Sequence, residues 1–359
     1  MSMRHAAGAI ALGLITLCAG SAAAQTPMQL TPPAPRAAPE PAAKPAPRKP
    51  APAPVKPKAA APAPTAPAPT ASNGNIDPAY GAYQRGYYMT AFAIATRRVE
   101  EAGDVKAMTL LGELYANGWG VERDDTKAAE WYRLAADRGD RQAMFALAMF
   151  HLGGRGGAAN REQAAKLLAS AAKLGHAPAA YDLGLLYLEG QMFPQDFTRA
   201  AELFTVAAQA GIPEAQYALA TLYKEGRGVT KDPAEAARLL AAAALGDNTD
   251  AQVEYAIALF NGTGVARNEQ GAVALLQKAA RKGSPIAQNR LANTLAIGRG
   301  VAADPVTAIK WHIVAKAGGV GDIPLDTFMQ KQTPEIRAAG EKAAKPWLDT
   351  LKELRDSRS

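Results

Sequence analysis

A period of 36 residues governs what this chain can fold into. Ala107, Ala143, Ala179, Ala215, Ala251 and Ala287 fill one slot of it, and Gly118, Gly154, Gly190, Gly226, Gly262 and Gly298 fill a second. Ala128, Ala164, Ala200, Ala236, Ala272 and Ala308 fill a third, and Ala135, Ala171, Ala207, Ala243, Ala279 and Ala315 a fourth. Six copies run from about Asp104 to Gly319 without an insertion. Self-similarity at such a period marks a stacked array, each copy being one supersecondary unit. Slots are named below by their number in the first copy.

Residue types define the unit. Ala107, Leu111 and Tyr115 stand four apart and share one face of a first helix. Slot 112 holds only Gly or Ala, as expected where a neighbouring helix backbone comes close. The glycine of slot 118 predicts a left-handed cap that ends this helix. Slot 124 then holds Asp124, Asn160, Asp196, Asp232, Asn268 and Asp304, whose side chains can accept from the free amides of a new first turn. Pro233 and Pro305 follow directly, at the one helical position that tolerates proline. Slot 131 is large and apolar in every copy, and Gly139, Gly175, Gly211, Gly283 and Gly319 close the units. In the fourth copy Gly246 stands one position early. An antiparallel helix pair of this kind cannot bury its apolar face alone, so stacking is required. The expected fold is all-α: a right-handed α-solenoid of antiparallel helix pairs, its concave face lined largely by first helices.

The run Leu111–Gly139, LGELYANGWGVERDDTKAAEWYRLAADRG, resembles the Sel-one-like repeat, a relative of the tetratricopeptide repeat. Copies two and three depart from the pattern, with Gly157 at the turn valine and Met192 and Phe193 at the Gly-Val pair. The resemblance implies a non-enzymatic protein–protein interaction scaffold, and bacterial relatives of this type are often exported.

The flanks read differently. Arg4 and His5 precede an apolar run, Ala6 to Gly20, and then small residues up to Ala24. That order predicts a secretory signal peptide over 1–24, hence export to the periplasm. An uncleaved inner-membrane anchor is the competing reading. Cys18 is the only cysteine and lies in this segment, so the exported chain would lack thiol chemistry and disulfides. Residues 25–76 form a basic linker rich in Pro and Ala, with 16 of the 26 prolines. Such composition cannot form a core. Arg36, Lys44, Arg48, Lys49, Lys56 and Lys58 against Glu40 place most of the net charge of +7 here, so the folded part is close to neutral. This linker could be a spacer or could attract peptidoglycan or another anionic envelope surface. Residues 77–103 are expected to form capping helices, Pro78 to Arg85 and Thr90 to Glu101. Residues 320–359 are expected to cap the other end, with a short helix from Pro324 and a longer one from Pro334 that Pro346 interrupts.

No catalytic set is legible. Ser170-Ala171-Ala172-Lys173 spells the nucleophile motif of penicillin-recognising enzymes, but its alanines are structural slots and its partner motifs do not follow. Gly153–Gly157 lacks the G-K-[ST] of a phosphate loop. His151 and His312 occupy packing slots without an acidic partner at ligand spacing, and His176 stands in an inter-repeat turn. Neither a cofactor nor a metal site is predicted. A near-neutral folded part and export both argue against nucleic acid. Slot 119 supplies a candidate partner-binding edge of Trp119, Arg155, Arg227 and Arg299, residue types suited to anchoring and to carboxylate recognition. The reading is therefore an envelope scaffold or regulator that binds a protein partner; a peptidoglycan- or polysaccharide-binding protein is the alternative.

Overall fold

The computed structural model describes residues 77–190 and 193–357. The leader and the basic linker lie outside these residues. Twelve helices of 13 residues each form six antiparallel pairs: α3 (Val105–Asn117) with α4 (Asp125–Asp137), α5 (Arg141–Gly153) with α6 (Arg161–Lys173), and α7 (Ala177–Glu189) with α8 (Phe197–Gln209). The series continues with α9 (Pro213–Glu225) and α10 (Pro233–Leu245), α11 (Thr249–Asn261) and α12 (Glu269–Arg281), and α13 (Pro285–Ile297) and α14 (Pro305–Ala317). Each helix packs on its neighbours in sequence, which makes the stack a solenoid.

The punctuation acts as the residue types require. Every slot-124 side chain accepts a hydrogen bond from a backbone amide in the first turn of its second helix. Every slot-118 glycine is left-handed, with φ between 64° and 75°. The fourth copy is a correction. Gly246 has an ordinary negative φ, and Asp247, in register with the closing glycines, takes the left-handed position at φ 74°. Lys278 and Lys282 of the next repeat hold its carboxylate at 2.8 and 2.6 Å and keep it well below the usual carboxylate range.

Slot 112 is small for a reason other than a neighbouring backbone. It faces slot 132 of its own repeat, whose residues Tyr132, Leu168, Phe204, Leu240, Leu276 and His312 are all buried. A Cβ on Gly112 would stand 2.7 Å from the Tyr132 ring, and one on Gly184 would stand 2.6 Å from the Phe204 ring. Glycine occurs opposite these two aromatic rings, and alanine occurs at 148, 220, 256 and 292, opposite leucine or histidine. Volume is thus conserved within each pair, as close packing demands.

Joints between repeats use the backbone. The slot-120 residues Gly156, Gly228, Gly264 and Gly300 sit against the main chain of Asp125, Phe197, Pro233 and Glu269, the first residues of the preceding second helices. The copy-three counterpart, Met192, lies outside the described residues. Side-chain amides add to three joints: Gln216, Gln252 and Gln288 donate to the carbonyls of Ala208, Ala244 and Ala280 at 3.1–3.2 Å.

Caps close both ends. At the N-terminal end α1 (Pro78–Gln84) and α2 (Tyr88–Ala102) cover α3. The start of α2 receives Gly120 as a second helix would, so α2 holds a repeat's place although its side chains ignore the slots. Tyr83 and Tyr88 pack on Trp119, and Phe92 packs on Tyr115, whereas Tyr87 projects into solvent. At the other end come α15 (Ile323–Gln330) and α16 (Pro334–Asp356). The expected break at Pro346 does not occur, and α16 runs through it. Pro346 is exposed, so the helix carbonyl that loses its N–H partner faces solvent and the helix survives. Trp347 meets Trp311 at 4.9 Å, and Gly340 lets α16 approach Ile309 of α14.

Candidate partner-binding surfaces

The turn edge is built from slot 119, held between the glycines of slots 118 and 120. Arg155 grips both carboxylate oxygens of Asp125 at 2.7 and 3.1 Å, donates to the Ala116 carbonyl at 2.8 Å and lies over the Phe150 ring. Arg299 repeats the arrangement with Glu269 at 2.9 Å, the Phe260 carbonyl at 3.1 Å and the Phe260 ring. Arg227 stacks on Phe197, 3.9 Å from the ring centre. Trp119 is half-buried against Tyr83 and Tyr88. The structure therefore gives all four residues work inside the stack.

Slot 119 matches slot 125 of the preceding repeat: Arg over Asp125, over Glu269 and over the Phe197 ring, but Thr263 over Pro233. Arg155 and then Arg123 hold the Asp125 carboxyl down at about 2. This contribution is fully present above the unfolded carboxylate value of about 4 and is lost as pH falls through 2. Arg155→Ala is expected to cost about 1–2 kcal/mol more near neutrality than at pH 2, where only its contacts with the Ala116 carbonyl and the Phe150 ring are left to lose, as read from chemical unfolding at the two pH values.

The first-helix face is different in kind. Tyr181 and Asp182 on α7, Glu214, Tyr217 and Glu225 on α9, and Asp250 and Glu254 on α11 are electrostatic neighbours within and across repeats. Burial, then the neighbouring Asp182 and Glu214, raise the Tyr181 hydroxyl; burial, then Glu254, Asp250 and Glu225, raise that of Tyr217. Lys224 reaches Glu254 of the next repeat at 3.0 Å, so the face is continuous across repeats. Asp182 is half-buried and, among the described residues, has no ion-pair or hydrogen-bond partner. Burial pushes its carboxyl up to about 7. The sequence places first helices along a concave face but does not single out these residues, because their slots vary freely from copy to copy; the acids on the first helices of copies three to five were the available signal.

The histidines find partners that spacing did not reveal. His312 Nε2 lies 2.8 Å from an Asp326 oxygen, an acidic partner brought in by α15. That corrects the expectation of none. His176 caps α7: its Nδ1 accepts from the Ala179 amide at 3.2 Å, so Nε2–H donates to Gln142 at 3.0 Å. Among the described residues no His, Cys, Asp and Glu group could hold a metal ion, and no helix is long and apolar enough to cross a membrane.

The Sel1 repeat matches six times, over residues 105–140, 141–176, 177–212, 213–248, 249–284 and 285–320. These bounds reproduce the six copies and their phase. The chain is similar to the crystal structure of a Sel1 repeat protein from Oxalobacter formigenes at 26% identity and a TM-score of 0.57, covering 67% of this chain and 97% of that one. It is also similar to a protective antigen of uropathogenic Escherichia coli strains displaying an SLR fold, at 26% identity and a TM-score of 0.53, covering 73% of this chain and 64% of that one. No curated protein matches. Six contiguous matches span well over half of the sequence, and the chain belongs to the Sel1 repeat family, whose non-catalytic fold serves generally as a scaffold for protein interactions.

Proposed function

We propose that this protein is a cell-envelope scaffold or regulator that holds a segment of a partner protein on the first-helix face of repeats three to five. The observation that carries the reading is Asp182: a half-buried carboxyl with no internal partner, beside Tyr181 on an open face. Buried carboxyls are ordinarily satisfied within the fold. One left open in the middle of an array suits a lysine, an arginine or backbone amides of a docked segment, with the tyrosines as anchors. The leader-like N-terminus supports the envelope setting.

The test is capture of partners from envelope fractions by three proteins: residues 25–359, the same lacking 25–72, and Asp182→Lys combined with Tyr217→Ala. One stoichiometric protein retained by the first two and lost by the third supports the reading. Equal retention by all three sinks it, and so does recovery of cell-wall material alone, which would favour a polysaccharide-binding role.

Asp182 also makes a prediction without a partner. Between pH 4 and 7 the folded state binds the extra proton, so stability falls as pH rises through this window. Asp182→Asn is expected to melt about 2–4 °C above the parent at pH 8 and together with it at about pH 3, below the unfolded carboxylate value. Coincident melts at both pH values would mean that the carboxyl is solvated.

A further inference from the structure

Between α14, α15 and α16, where the last repeat meets its cap, lies a cleft of about 700 Å³. That is the size of a small-molecule site. One wall is apolar, from Ile313, Met329 and Leu348. The charged groups are unequal. Lys316 holds Asp326 at 2.8 and 3.1 Å and, with His312, keeps its carboxyl below the usual range. Those charges are mutually satisfied. Arg337 is not: its Nε is shielded from solvent and has no acceptor, and no carboxylate of the described residues lies within ion-pair distance. His312, 1% exposed, is a different case: its Nε2–H donates to Asp326, so its unpartnered Nδ1 is a lone pair that takes a donor. A shielded guanidinium nitrogen without an acceptor is uncommon and costly, and it marks Arg337 as the charge of this cleft that the fold leaves open.

The partner that Arg337 lacks must be an acceptor. A guanidinium fork suits a carboxylate or a phosphate, and the remaining wall suits hydrocarbon. We propose that this cleft binds an amphiphilic anion, its carboxylate or phosphate head on Arg337 and its apolar body along Ile313, Met329 and Leu348. The site lies at the C-terminal end of the array, apart from the first-helix face, and stands or falls independently of it. Glu341, exposed on the same wall, opposes an anion and sets a charge control.

Titration calorimetry of the full chain with decanoate, decyl phosphate and decanol tests the assignment. The expected result is saturable one-to-one binding of an anionic probe, with the tighter of the two naming the head group, and at least tenfold weaker binding of decanol. Arg337→Gln should weaken the anion at least tenfold, Ala338→Trp should block the cleft, and Glu341→Gln should tighten binding. Thermal melts establish that each variant is folded. Equal affinity for decanol, an unchanged constant in Arg337→Gln, or no saturation at millimolar probe would overturn the proposal. The decanoate–decanol comparison decides the matter on the parent protein even if a variant fails to fold.

Discussion

Gly264→Ala will split the array. Gly264 has φ 69°, and an added Cβ would overlap the carbonyl of Pro233 in the preceding repeat. Two costs combine. An L-residue in the left-handed region costs roughly 1–2 kcal/mol. The overlap involves two main chains, so no rotamer change relieves it, and repeat five must lift from repeat four at a total cost of about 3–5 kcal/mol. Stability in a solenoid is close to a sum of unit and nearest-neighbour terms, so a damaged joint uncouples its two sides. Chemical unfolding followed by circular dichroism should change from one transition to two, with hydrogen exchange fastest near residues 249–264. Gly283→Ala is the control: its φ is 89°, but the space around it is open, so it carries the backbone strain alone. Equal losses in the two variants would show that the joint contact contributes nothing.

Gly184→Ala should destabilise, and Phe204→Leu in the same chain should restore what is lost. Alanine gains about 1 kcal/mol over glycine in a helix interior. Here that gain is overcome, because the new methyl would stand 2.6 Å from the buried Phe204 ring, and overpacking of this kind costs about 1–3 kcal/mol or somewhat more. Phe204→Leu alone leaves a void and is also destabilising. Together the two changes reproduce the Ala148–Leu168 pair found one repeat earlier. A double-mutant cycle should give a coupling of about 2–3 kcal/mol. Additive losses would mean that the glycine serves some purpose other than admitting the ring.

Much of the fold was legible because its punctuation is chemical. Asx caps at slot 124 and glycines at slot 118 have one local function each, and the array repeats them six times. What stayed hidden depends on pairs. Slot 112 looks merely small until slot 132 is seen opposite it. The slot-119 arginines suggest an outward edge until slot 125 of the previous repeat supplies a carboxylate to Arg155 and Arg299 and an aromatic ring to Arg227. Asp247 looked like a missing glycine because the lysines that hold it lie 31 and 35 residues away. Pro346 read as a stop because proline propensity is local, whereas the α14–α16 contact that carries the helix past it is not. The first-helix face shows no periodic signal at all, as expected of positions that packing does not constrain.

The pairing of slot 119 with slot 125 has an evolutionary consequence. Equal spacing makes any unit formally exchangeable, and in-frame loss of residues 177–212 would preserve every cap and turn of the period. It would also set Arg227 over Arg161 in place of the Phe197 ring, bringing two guanidinium groups together. Like charges in contact are repulsive. Loss of residues 213–248 would instead bring Thr263 to Phe197, a tolerable neighbour. Each unit thus carries an address for the one before it, and the order of the array is inherited along with its length.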